Sequence, residues 1–333
     1  MALQGMHSLV TCERLRSYSP HPTMIRLDHR DPMPEALRGA ILALGNFDGF
    51  HQGHQAVVGE AVRWAREEGR PAIVATFDPH PVRFFQPATP PFRLTTLDQR
   101  QELFAEAGAD AMLVFHFDES IAGMPATRWV EEMIHAHLGI SGVVTGQDFV
   151  FGKGRSGTAQ SLQELAEPFS IESRAVPGVL DSDGAISSSR IRAALKAGDC
   201  ATARRLLTRP FAIRGTVQHG DKLGRTIGYP TANIDLGTYL RPRYGIYAVT
   251  GLLPGGRKLI GAANLGIRPT FDPPKELLEP YFFDFSGDLY NEEIEVGFHH
   301  FLRPEAKFDS LDALTAQMDR DCETARKLLG ALL

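Results

Sequence analysis

The spacing of apolar and polar positions changes character near residue 209. Upstream, short apolar runs alternate with longer stretches whose apolar residues recur every three or four positions. Ala40–Leu44 is a run suited to a buried parallel strand and ends at Gly45. Gln55–Glu68 places Val57, Ala61, Trp64 and Ala65 on one helical stripe and stops at Gly69, a C-cap signal. Ala72–Phe77, Met112–Phe115 and Gly142–Thr145 read as further strands. Thr96–Gln99 matches a capping box opening a helix with Leu103 and Phe104, and Thr127–Leu138 reads as a helix closed by Gly139. This alternation predicts an α/β domain with a doubly wound parallel sheet over residues 1–209. Two short helices, Ile191–Ala197 and Ala201–Leu207, end at Pro210.

Beyond Pro210 the helical period disappears. Phe211–Val217, Gly245–Leu252, Lys258–Ala263, Glu279–Phe285 and Glu292–Phe298 are strand-like runs joined by Gly- and Pro-rich turns. Residues 210–333 are therefore expected to form a small antiparallel β-barrel. A terminal helix, Ser310–Leu329, is expected to bury Leu311, Leu314, Met318 and Leu328.

At 333 residues the chain is long enough for two domains, each with its own core. A net charge of −5 argues against a nucleic-acid binder that relies on a broad basic surface. Cys12, Cys200 and Cys322 are far apart and form neither a zinc pattern nor a disulfide framework. No apolar stretch approaches the length of a membrane helix, and no secretory pattern opens the chain, so a cytoplasmic protein is expected.

Two segments carry candidate chemistry. Gly45–Gln55 reads GNFDGFHQGHQ at a strand-to-helix junction, where a helix N-terminus favours phosphate. Gly45, Asn46, Phe47, Asp48 and Gly49 form the turn, and His51 and His54 stand where a triphosphate would sit. Two solvated histidines on a capped loop is the plainer alternative. Ile186–Arg192 reads ISSSRIR: Ser187, Ser188 and Ser189 can cap a helix and bind phosphate with Arg190, and Arg192 can neutralise developing charge. In the second half, Gly215–Asn233 carries Gly220, Lys222, Gly224 and Gly228, then Pro230-Thr231-Ala232-Asn233. A Gly-rich turn between barrel strands would explain the glycines alone. Thr231 and Asn233 add hard oxygens suited to Mg²⁺ and nucleotide phosphate.

HxGH followed by an ISSTxxR-like segment resembles the nucleotidylyltransferase superfamily. With TFDPHP (Thr76–Pro81) and GQDFVFGKGRSGT (Gly146–Thr158), the first half resembles the FMN adenylyltransferase module of bacterial bifunctional riboflavin kinase/FAD synthetases. PTAN, GAANLGIRPT (Gly261–Thr270), LEPYFFDFSGDLY (Leu278–Tyr290) and LRPEAKF (Leu302–Phe308) resemble the riboflavin kinase half. Ser189 stands where that family usually has Thr, as does Ile267, while Gln147 and Val150 occupy variable positions. Some two dozen N-terminal residues stay unassigned.

The resemblance implies that riboflavin and ATP·Mg²⁺ give FMN, and that FMN and a second ATP give FAD. It implies that His51 and His54 contact the ATP phosphates and that Arg192, rather than Arg190, stabilises the departing pyrophosphate. Asn46 and Asp48 would shape the pocket, Asp148, Phe149, Phe151 and Arg155 would face the flavin, and Glu279 would be the base of the kinase step. The alternatives are a nucleotidylyltransferase for another phosphate substrate with a flavin-binding barrel, and a non-catalytic flavin carrier. PTAN with Glu279 speaks against the former, and His51, His54 and Arg192 against the latter.

Overall fold

The computed structural model describes residues 24–219, 228–268 and 275–332. The first half contains six parallel strands: β1 (Ile25–Asp28), β2 (Ile41–Leu44), β3 (Ala72–Asp78), β4 (Ala111–His116), β5 (Gly142–Gly146) and β6 (Glu172–Val176). Their order across the sheet is β1-β4-β3-β2-β5-β6. The four central strands are the expected ones, and their apolar runs are almost entirely buried. The two edge strands escape the hydrophobic pattern. Arg26 and Asp28, and Glu172 and Arg174, carry charges along them, which suits an edge that must not recruit another strand.

Helices α1 (Gln52–Glu68), α2 (Leu97–Glu106), α3 (Ala126–His137), α4 (Ala159–Ala166), α5 (Ser188–Ala197) and α6 (Cys200–Leu207) accompany the sheet. Helix α1 starts three residues earlier than the stripe suggested, because the His51 side chain caps it and draws the first turn back. In α2 the expected capping box is complete, with Thr96 and Gln99 each bonded to the other's backbone N–H. Helix α3 is wound as a wide π-type helix from Trp129 to His137.

The second half is a closed barrel of six strands, all paired antiparallel. They are β7 (Phe211–Gln218), β8 (Asn233–Asp235), β9 (Gly245–Leu252), β10 (Lys258–Arg268), β11 (Lys275–Phe282) and β12 (Glu293–Arg303). Strand β8, only three residues long, has no sequence signal of its own. Strand β11 begins four residues before Glu279, so this glutamate sits inside the strand rather than at its start.

Helix α7 (Leu311–Leu329) lies on the outer face of the barrel, but not through the expected stripe. Leu311 and Leu328 are exposed, whereas Asp321, Ala325 and Leu329 are buried. Two forces fix that face. The Arg303 guanidinium clasps Asp321 at 2.7–3.1 Å, and the small Ala325 fits against Ala248, Ile260, Ala262 and Phe283.

One apolar cluster joins the two halves. Ile191, Leu195, Leu206 and Leu207 of α5 and α6 pack in the same core as Phe211, Tyr239, Leu240 and Phe298 of the barrel. Arg214 of β7 reinforces this contact by bridging Glu102 on α2 and Glu295 on β12 at 2.6 and 2.9 Å.

Candidate active sites

The loop from β2 to α1 carries backbone strain. Phe47 and Phe50 adopt left-handed φ angles of 49° and 44°, a conformation that costs of order 1 kcal/mol each. Burial of both rings against Phe104 holds them there. The turn lifts His51 to the N-cap of α1, where its Nδ1 accepts the His54 backbone N–H at 3.4 Å. An accepting Nδ1 leaves the proton on Nε2. Gly53 explains the middle of HQGH: a Cβ there would stand 3.2 Å from the His51 ring. The two imidazoles stack with centroids 3.6 Å apart.

Burial outweighs the nearby Asp48 carboxylate and lowers His51 to about 4. Burial, with His51 and three arginines adding to it, holds His54 well below its ordinary value. Both rings are thus neutral near pH 7. The His54 Nδ1 and Asn46 Oδ1 atoms are buried without a hydrogen-bond partner, and both residues line the same cleft. Buried polar atoms left in this state mark a place where a ligand is expected.

Asp48 is buried and accepts the backbone N–H groups of Leu94 and Thr95 at 2.9–3.1 Å. Its second role is to hold Arg192 at 2.6 Å. An anion engaged in this way is a fixture for the arginine rather than a phosphate contact. Ser187 caps α5, and the Ser188 hydroxyl donates to the Asp48 carbonyl at 2.8 Å, so the two motifs are joined directly.

Ser187, Ser188 and Arg192 line the cleft, but Ser189 and Arg190 do not. Arg190 turns to Asp181 and Asp183, at 2.7 and 3.1 Å. The helical period explains the difference, since residues two apart point to different sides of α5.

Two contributors were missed by the sequence reading. Arg100, almost fully buried on α2, donates to the Asn46 carbonyl and to Thr76 Oγ1, clamping the loop onto β3. Burial pulls its guanidinium down to about 10. The second is an aromatic wall of Phe77, Phe85, Phe117 and Trp129, which faces the same cleft as Asp148, Phe149, Phe151 and Arg155. Phe85 is 64% exposed, and the Phe-Phe pair that follows TFDPHP is the signal that could have revealed it. The cleft measures about 1300 Å³, room for a nucleotide beside a flat aromatic ligand.

In the barrel, Glu279 lies directly across from Asn264, whose amide donates to its Oε2 at 3.4 Å. Asn264 Oδ1 is buried without a partner. Alternation puts both side chains on the outer face, in line with Ala262 and Tyr281 under α7. The Ala232 N–H donates to the Pro280 carbonyl at 3.0 Å, which sets Thr231 and Asn233 beside Glu279. Tyr229 bonds to Asp319 of α7, so the start of the PTAN segment is tied to that helix. Gly228 precedes it in a left-handed turn, while Gly220, Lys222 and Gly224 lie outside the described residues.

A parallel sheet whose β2–α1 turn opens a large cleft at a helix N-terminus, joined to a closed barrel with its own polar cluster, is an architecture with two separate candidate sites, as a two-site transferase requires. Comparison with known proteins makes this specific. A family model for FAD synthetase matches residues 33–190, and one for riboflavin kinase matches residues 207–329. The chain is 38% identical over 292 residues to a bifunctional riboflavin kinase/FMN adenylyltransferase of Escherichia coli K12, covering 88% of this chain and 93% of that one. With the Haemophilus influenzae protein of the same description it shares 39% over 298 residues, 89% and 96% of the two chains. The chain belongs to the bifunctional riboflavin kinase/FMN adenylyltransferase family. A solved structure from Streptococcus pneumoniae, described as a macrolide-efflux protein, superimposes with a TM-score of 0.82 at 32% identity, over 91% of this chain and 99% of its own. Among the described residues no helix is long and apolar enough to cross a membrane.

Proposed function

We propose that the chain makes FAD from riboflavin in two ATP-dependent steps in the cytoplasm, the kinase step within residues 210–333 and the adenylyl transfer within 1–209. The observation that carries this reading is the convergence of His51, His54, Ser188 and Arg192 on one cleft, with Glu279 and PTAN in a separate barrel.

In the kinase step the ribityl 5′-hydroxyl attacks the γ-phosphorus of ATP, the bond to ADP breaks, and Glu279 takes the hydroxyl proton. Asn264 steadies the carboxylate through its amide. Thr231 and Asn233 offer the hard oxygens that a nucleotide-bound Mg²⁺ accepts, and bound Mg²⁺ neutralises phosphate charge.

In the second step a phosphate oxygen of FMN attacks the α-phosphorus and the bond to pyrophosphate breaks. The nucleophile is already anionic, so no base is required. Neutral His51 and His54 donate hydrogen bonds to the phosphates, the α1 N-terminus adds its dipole, and Arg192 meets the charge on the leaving group. The aromatic wall holds the isoalloxazine.

Incubation with riboflavin, ATP and Mg²⁺, followed by chromatography, should yield FMN and then FAD. Riboflavin that stays unphosphorylated would refute the kinase assignment, and FMN that accumulates without FAD would refute the second.

A further inference from the structure

Four consecutive residues, Phe92–Thr95, touch three parts of the proposed adenylyl-transfer site, the β2–α1 turn, Arg192 and TFDPHP, without belonging to any recognised motif. The Leu94 and Thr95 N–H groups hold Asp48. The Phe92 carbonyl accepts Arg192 Nε at 2.9 Å, and the Phe92 ring lies 5.1 Å from the same guanidinium. The ring also meets the edge of His80 in TFDPHP.

Arg93 anchors the segment in two directions. Its guanidinium pairs with Asp78, also in TFDPHP, at 2.5 Å. Its backbone is bonded to the barrel on both sides, N–H to the Thr238 carbonyl at 3.2 Å and carbonyl to the Leu240 N–H at 2.8 Å. Arg93 lines no part of the cleft.

We propose that Arg93 is a positioning residue for adenylyl transfer, the pin of a strap through which the barrel and TFDPHP together hold Arg192 in place. This rests on the reading of Arg192 as the cation at the reacting phosphates. A long arginine side chain has many rotamers, and the contacts that select one here, the Phe92 carbonyl and the Asp48 carboxylate, are both set by the strap. A displacement of about 1 Å at such a group is enough to cost up to roughly 100-fold in rate.

The test uses the full chain in four forms: wild type, Arg93→Ala, Arg192→Ala and the double variant. FMN formation and FAD formation from supplied FMN are measured separately, together with the thermal midpoint. Arg93→Ala should lower kcat for FAD formation about 10- to 100-fold, with FMN formation within twofold of wild type and an unchanged midpoint. In the Arg192→Ala background it should add no further loss, because it acts through that residue.

Loss in Arg192→Ala with wild-type rates in Arg93→Ala overturns the strap alone. So does a double variant in which the two losses multiply. Equal loss of both activities with a lowered midpoint makes Arg93 a general stabiliser and also overturns it. Wild-type FAD formation by Arg192→Ala overturns the site reading, and the strap with it.

Discussion

Mild acid should destabilise the folded chain well before its carboxylates titrate. His51 and His299 are both buried, and burial lowers each from 6.5 to about 4. The folded state keeps them neutral while the unfolded chain takes up protons below 6.5. The unfolded state thus binds more protons throughout this window. Stability is complete above pH 6.5 and is lost as pH falls towards 4. At pH 5 each histidine costs about 2 kcal/mol, close to 1.4 kcal/mol for every pH unit below 6.5. The two together lower stability by about 4 kcal/mol, roughly 6 °C in Tm for a protein of this size. His54 acts in the same direction, and protonating His51 would also abolish the cap of α1. Asp28 and Asp181, held below the usual carboxylate range chiefly by Arg30 and Arg190, respond only at lower pH. The assay is a thermal melt by circular dichroism at half-unit steps from pH 8 to 5, at constant ionic strength. A midpoint that stays flat to within 2 °C down to pH 5 would refute the claim that these histidines are buried neutral.

Replacing single residues should separate the two half-reactions. His54→Ala should slow FAD formation by ~10²–10³, as loss of one transition-state hydrogen-bond donor does, and leave FMN formation near wild type. Survival of FAD formation within twofold would remove His54 from the reacting centre. Glu279→Gln should reduce kcat for FMN formation by about 10²–10⁴ while FAD formation from supplied FMN continues. A raised KM with normal kcat would make Glu279 a binding residue instead.

The sheet's centre and the geometry of the β2–α1 turn were legible because their signals are local. A fully buried strand is an apolar run, and HQGH states its own geometry through a cap, a glycine and a second histidine within four positions. The edge strands β1 and β6 were not legible, since charged residues there oppose the pattern that reveals a strand. The face of α7 was misread because a buried aspartate counts as polar in any periodicity, while its partner Arg303 lies eighteen residues away. Motif spacing already favoured Arg192 over Arg190, but the partners that turn them apart, Asp48 and Asp181, could be placed around α5 only by the structure. The Phe92–Thr95 segment gave no signal at all. Its main-chain bonds run to partners between 46 and 147 residues distant, and side-chain pattern carries no trace of such contacts.

Helix α5 serves two masters, and this limits how the chain can be dissected. One of its faces presents Ser188 and Arg192 to the large cleft, while Ile191 and Leu195 belong to the apolar cluster shared with the barrel. A barrel released by cutting at Phe211 leaves behind the cover over Phe211, Tyr239 and Leu240, and exposed apolar surface of that kind invites aggregation. A barrel released further upstream, before Ile186, keeps its cover but removes Arg192 from the other fragment. No single scission therefore yields two intact pieces, and grafting either half onto a different partner would require redesigning one side of this helix.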